Sequence, residues 1–156
     1  MKKLSEKKII QLMNKKKNRP EDVEIFKLGD EKCVVCVDTL VESTDIPKCS
    51  KLSDISRKSV ISSLSDFAAK GAIPKFCIVS LTLPKTISEK QVEDLSKGFS
   101  NACKEFKIQL LGGDTNQGKE ISIHVVLFGR ARNLVKRNGA KVKDVICTTG
   151  PFGYTA

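Results

Sequence analysis

The chain has 156 residues, 40% hydrophobic and 29% charged, an ordinary globular mix of one-domain length with enough residues for a core. No apolar run approaches the ~18 residues of a membrane span, and the opening MKKLSEKKIIQLMNKKKNRP lacks the continuous apolar stretch of a signal peptide. The net charge of +10 is local: residues 1–19 hold eight Lys/Arg and one acid, so +3 remains on the rest of the chain.

In chain order, Leu4 and Ile9 around Ser5 predict a short amphipathic helix to about residue 16, with Ser5 as its N-cap. Its lysines form a solvated face, with an anionic partner as the competing reading. One Tyr and no Trp leave few stacking platforms, so nucleic acid is not the expected partner. Two strands follow at 23–27 and 32–38, joined by a turn at Gly29–Asp30. A polar loop containing Pro47 leads to a helix in LSDISRKSVISSLSDFAAKG, where Val60, Leu64, Phe67 and Ala68 recur at helical spacing and Gly71 is a good C′ residue. FCIVSLTLP is a β-rich run ended by Pro84. Ser88 and Gln91 then make a capping box for a helix striped by Val92, Leu95, Phe99, Ala102 and Phe106. Strands are predicted at about 108–111, 120–129 and 144–149, with Gly-rich or polar loops between them. The order β-β-α-β-α-β-β-β is α+β, a mixed sheet with helices packed on one face.

Six scattered cysteines, most of them in apolar segments, suit reduced, buried thiols in a cytoplasmic protein better than a disulfide framework. Cys33 and Cys36 form a C-x-x-C, but on one strand an i, i+3 pair diverges. The only histidine is His124, so a four-ligand zinc site lacks its usual partners. The carboxylates are more informative. Asp38 closes an apolar strand, Asp22 precedes the first strand, and Asp114 follows two glycines in LLGGDTNQG. Asp66 lies in the last turn of its helix, an unfavourable place for an anion unless a cation meets it. Each alone serves as a cap or turn residue. Four at segment ends is a pattern suited to Mg²⁺, which takes oxygen ligands shared with water and phosphate. RNGAKVKD, from Arg137, adds a plausible phosphate clamp. TTGPFGYT, from Thr148, is a Gly-rich turn without the GKS/GKT of a P-loop.

VDTLVESTD, SDFAAKGAIP, LLGGDTN, KRNGAKVKD and TTGPFGYT occur in an order and near-spacing that resembles the thiamine-monophosphate kinases. The likeness is nearest the archaeal branch of that group, within the aminoimidazole-ribonucleotide-synthetase-like superfamily, and runs from about residue 20 to the end. The resemblance implies ATP- and Mg²⁺-dependent phosphorylation of thiamine phosphate to thiamine diphosphate by direct in-line transfer, without a covalent enzyme intermediate. It implies Asp22, Cys36, Val37, Asp38, Asp66 and Asp114 as metal-binding positions, the bacterial members carrying hydroxyls at 36 and 37. It implies Gly113, Asp114 and Arg137 as nucleotide contacts, Phe106 flanking the nucleotide, and Asp45 at a substrate-side position. A homodimer is expected, with the two sheets joining into a barrel.

The chain departs from that pattern where the usual Gly-Asp-Asp reads Pro20-Glu21-Asp22, and where Thr-Thr-Asp reads Cys36-Val37-Asp38. Family members run to roughly twice this length. Residues 1–149 are therefore expected to be the ATP/Mg²⁺-binding and dimerisation domain, with 150–156 the start of a second one. Two competing readings stand beside this: another ATP-using member of the superfamily, selenophosphate-synthetase-like or hydrogenase-maturation-like, or a non-enzymatic dimerisation domain.

Overall fold

Alternation along the strands decides which face of the sheet is covered. The computed structural model describes residues 4–13, 21–148 and 150. Its elements are α1 (Glu6–Met13), β1 (Glu24–Leu28), β2 (Glu31–Val41), α2 (Glu42–Asp45), α3 (Leu52–Ala69), β3 (Ile73–Pro84), α4 (Glu89–Glu105), β4 (Gln109–Gly118) and β5 (Ser122–Arg130). The strands form one mixed sheet in the order β1-β2-β5-β3-β4, antiparallel throughout except for β3 and β4. That parallel pair needs a crossover, which α4 supplies.

Val34, Cys36 and Leu40 of β2, Cys77, Val79 and Leu83 of β3, and Ile123, Val125 and Leu127 of β5 are buried, each two residues or a multiple of two from the next. They meet Val60 and Phe67 of α3 and Leu95, Phe99 and Ala102 of α4 in a single core. The α+β class with a mixed sheet is as expected.

The serine-rich α3 is buried because its hydroxyls find acceptors at hand. Ser56 donates to Leu52 O at 3.0 Å, Ser59 to Ser56 O at 2.7 Å, and Ser63 crosses to Val125 O of β5 at 3.3 Å. The two long helices approach closely at Gly98, where a Cβ would stand 2.1 Å from Ser53 O. The capping box of Ser88 and Gln91 is formed, and Gly71 follows the Lys70 cap with φ +65°.

Among the described residues no helix covers the opposite face of the sheet. Phe26, Phe76 and Ile78 are exposed there, and with Leu28, Leu111 and Phe128 they line an open groove of about 640 Å³.

Three expectations are corrected. The glycine-rich LLGGDTNQG is not a loop after a four-residue strand, because β4 runs on to Gly118 against Ile78–Pro84 of β3. A bulge at Cys77/Ile78 and φ +145° at Gly112 absorb the irregularity. Residues 144–148 form no strand and 149 lies outside the described residues; Asp144 instead caps the Lys141 N–H at 2.8 Å. The polar segment after β2 contains the one-turn α2. The end of the N-terminal helix past Met13, Pro20 and residues 151–156 also lie outside the described residues. No helix among those described is long and apolar enough to cross a membrane.

Candidate active site

The acidic corner lies where the chain before β1, the middle of β2 and the end of α3 meet. Asp38 sits on the helix side of β2 two residues after Cys36, half-buried, and accepts a hydrogen bond from the Thr39 N–H at 2.9 Å. Asp66 is also half-buried in the last turn of α3. Burial, then the charges of Asp22 and Asp38, push its carboxyl above the usual aspartate range. Three carboxylates from three segments therefore share one electrostatic environment.

The cations that the helix end requires are present. The segment after β5 folds back over α3, with the Val135 N–H donating to Lys70 O at 3.1 Å, and this delivers Arg137 to Asp22. Arg137 grips Asp22 with both arms of its fork, Nη2 on Oδ1 and Nε on Oδ2, the latter at 3.2 Å. Lys70 reaches Glu21 at 2.5 Å and Asp22 at 3.1 Å. The Arg137 fork holds Asp22 below the ordinary carboxylate range, and Lys70 does the same for Glu21.

The chemistry of this donor set fits Mg²⁺. Among the described residues no three of His, Cys, Asp or Glu converge tightly enough to ligate a single ion. An ion here would rest on one or two aspartates and take its other ligands from water and phosphate, the usual habit of Mg²⁺. Cys36 offers no thiolate: its Sγ donates to Ser63 O at 3.4 Å, and burial followed by the Asp66 charge pushes the thiol up to about 12. Val37 is apolar and points to the open face, away from Asp38. Cys33 lines the open groove, so the C-x-x-C pair diverges across the sheet.

The remaining candidates lie elsewhere. Asp114 is exposed on β4, accepts from Asn116 Nδ2 at 2.7 Å, and pairs in register with Ser80. Ser80 stands opposite His124, and His124 opposite Thr39. Asp114 is thus three strand spacings, roughly 14 Å, from β2 and the acidic corner. Gly113 lies hard against β3, where a Cβ would be 1.7 Å from Val79 O. Phe106 caps α4 under the Arg57 guanidinium, 5.9 Å from the ring centroid, and Arg57 is paired with Glu105. Asp45 ends α2, accepting the Val41 N–H at 2.7 Å.

Lys70 escaped notice in the sequence, and Glu21 stood out there only as a departure from the Gly-Asp-Asp pattern. The signal was there: Lys70 is one turn beyond Asp66, at the helix end where an anion calls for a cation.

A mixed sheet with helices on one face and three aspartates gathered at a basic-lined corner defines an α+β domain equipped to present carboxylates to a cation and an anionic ligand. The chain belongs to the family described as AIR synthase related protein, N-terminal domain, whose model matches residues 20–131. It is 52% identical to the thiamine-monophosphate kinase of Nitrosopumilus maritimus over 99% of this chain and 50% of that protein. It is 33% identical to that of Pyrococcus horikoshii over 85% of this chain and 43% of the other. Among solved structures, AaThiL complexed with AMPPCP and TMP superposes with a TM-score of 0.83 at 27% identity, covering 90% of this chain and 47% of that one. The chain spans about half the length of the curated relatives it matches.

Proposed function

We propose that the chain is the nucleotide- and Mg²⁺-binding half of a kinase that phosphorylates thiamine monophosphate to thiamine diphosphate with ATP. The observation that carries this reading is the acidic corner of Asp22, Asp38 and Asp66 with Arg137 on its rim, in a chain 52% identical, over 99% of its own length, to half of a thiamine-monophosphate kinase.

In this reading Asp22, Asp38 and Asp66 hold Mg²⁺, which supplies charge neutralisation between two phosphate-bearing substrates. Cys36 and Val37 contribute only strand backbone. Arg137, on an exposed arm, turns its fork from Asp22 to a phosphate. Gly113, packed against β3, meets the nucleotide through the backbone beside Asp114, Phe106 flanks the nucleotide, and Asp45 stands on the side of the acceptor substrate. Direct in-line transfer requires alignment of the two phosphates and no covalent group of the protein.

Asp114 lies too far from the corner to serve it within one chain, and the open apolar sheet face calls for cover. Both point to a homodimer in which two sheets close into a barrel and bring β4 of one copy towards the other. Residues 1–149 then form this domain, and 150–156 lead into the rest of the kinase.

The test is a calorimetric titration of the chain with a non-hydrolysable ATP analogue, with and without Mg²⁺. Strictly Mg²⁺-dependent binding, lost in Asp38→Asn and weakened in Asp114→Asn, supports the reading. Binding that ignores Mg²⁺, or that survives both substitutions unchanged, overturns it.

A further inference from the structure

The acidic corner holds two cations of unlike freedom. Arg137 has a side chain 58% exposed, whereas that of Lys70 is 3% exposed. The ammonium of Lys70 is held by Glu21 Oε2 and Asp22 Oδ2 together. Its backbone is fastened as well, the N–H to Asp66 and Phe67 carbonyls and the carbonyl to the Val135 N–H. A buried ammonium spanning two carboxylates does what a bridging divalent ion would do. Glu21, one methylene longer than an aspartate, is spent on it.

We infer that Lys70 is a resident cation that keeps Glu21 out of the metal set. Divalent ions at this corner are held through Asp22, Asp38 and Asp66. Glu21 acts on them only by anchoring Lys70, which positions Asp22 and, through it, the Arg137 fork. When ions and nucleotide arrive, the exposed Arg137 releases Asp22 and the buried Lys70 stays. The inference rests on the metal-and-nucleotide reading above and adds a positioning residue to it.

The experiment counts Mn²⁺ ions bound to the folded chain in the presence of a non-hydrolysable ATP analogue, by the paramagnetic resonance of free Mn²⁺. It compares wild type, Glu21→Gln, Lys70→Met and the double variant. If Glu21 acts only through Lys70, Glu21→Gln keeps the ion count but weakens affinity about tenfold, because an uncompensated ammonium repels the ions. Lys70→Met frees Glu21 and gains an ion. The double variant, neutral at both positions, returns to the wild-type count and to within about threefold of its affinity. That rescue is something a merely structural role would not produce.

Loss of an ion in Glu21→Gln overturns the inference, as does a double variant no tighter than Glu21→Gln. A folded Lys70→Met with an unchanged count also overturns it. Should Lys70→Met fail to fold, Glu21→Gln and the double variant still decide, since replacing both members of a buried pair is better tolerated than removing one. A wild type that takes up no Mn²⁺ overturns the metal reading itself, and this inference with it.

Discussion

Phe76→Lys tests whether the bare sheet face is an interface. Phe76 lies on β3 opposite Phe128 of β5, in the apolar groove with Phe26, Ile78 and Leu111. The residue is 42% exposed, so of the ~150–250 Å² that an aromatic residue contributes, roughly 60–100 Å² remains for a partner to cover. At about 25 cal/mol per Å² that is about 2 kcal/mol per copy, hence about 4 kcal/mol for a twofold dimer. Lysine adds a charge to a groove whose rim already carries Lys32, Lys75 and Arg130, so no surplus counter-ion awaits it beyond Glu31. Burying the two ammonium groups costs several kcal/mol more. If snorkelling relieves most of that charge penalty, the loss is still about 5 kcal/mol, more than three orders of magnitude in the dimer dissociation constant. In the isolated chain the site is exposed, and the circular dichroism spectrum should be unchanged. Sedimentation equilibrium should find wild type dimeric and Phe76→Lys monomeric at the same concentration. A variant that stays dimeric, or a wild type that is monomeric throughout, refutes the reasoning.

Three further outcomes follow from the geometry. Gly113→Ala places a Cβ 1.7 Å from Val79 O and must push β4 away from β3 by more than an ångström. Overpacking of about 1–3 kcal/mol and a lost ladder hydrogen bond of about 1 kcal/mol predict a melting temperature lower by about 5–15 °C, read by thermal denaturation. Asp66→Asn removes a carboxyl whose folded value is raised by burial and like charge. It should therefore raise the melting temperature at neutral pH while weakening Mg²⁺–nucleotide binding about tenfold or more in calorimetry. The third outcome concerns acid. Glu21 and Asp22 are held low by their cations, so their stabilisation is present above the ordinary carboxylate range and is lost as pH falls through their folded values. Asp66, held high, works in the opposite sense and gains stability for the fold as pH falls. Melting curves taken through the acid range should accordingly fall more steeply with pH in Asp66→Asn than in wild type.

Where the sequence was legible, a local rule and the global packing agreed. The capping box at Ser88, the stripe of α4, the C′ glycine at 71 and the alternation of β2 and β5 each dictate a conformation that the core then uses. LLGGDTNQG failed because glycine, asparagine and aspartate are loop residues by every local measure. The ladder to β3 overrides them, and only glycine at 113 lets the two backbones approach so closely. The error moved Asp114 as well: on a loop it could have swung towards Asp38, but on β4 it is fixed across the sheet. Residues 144–148 carry β-branched residues in a polar setting, yet no strand edge takes them up. The acidic corner was half legible. Strand-end and helix-end aspartates announce themselves in sequence, but the Glu21–Lys70 contact joins residues 49 apart.

The electrostatics of the corner separate its carboxylates by role. A site that recruits a divalent ion must leave negative charge uncompensated in the empty state, since a carboxylate already paired with a buried ammonium gains little from a metal. Glu21 is so paired, and Asp22 is gripped from both sides. Asp66 is the reverse: its dominant influences are burial and the like charges of Asp22 and Asp38, with Arg137 and Lys70 only weaker, more distant relief. The repulsion between Asp66 and its neighbours thus costs the fold stability, and an entering cation would relieve it. Because Asp22 touches both systems, releasing its Arg137 arm would free Oδ1 for a cation while Oδ2 stays on Lys70, and would free a guanidinium for phosphate in the same movement. In the proposed reading, metal uptake and nucleotide contact are coupled through one side chain, so Asp22→Asn should weaken both together, whereas Asp66→Asn should act on the nucleotide only through the metal.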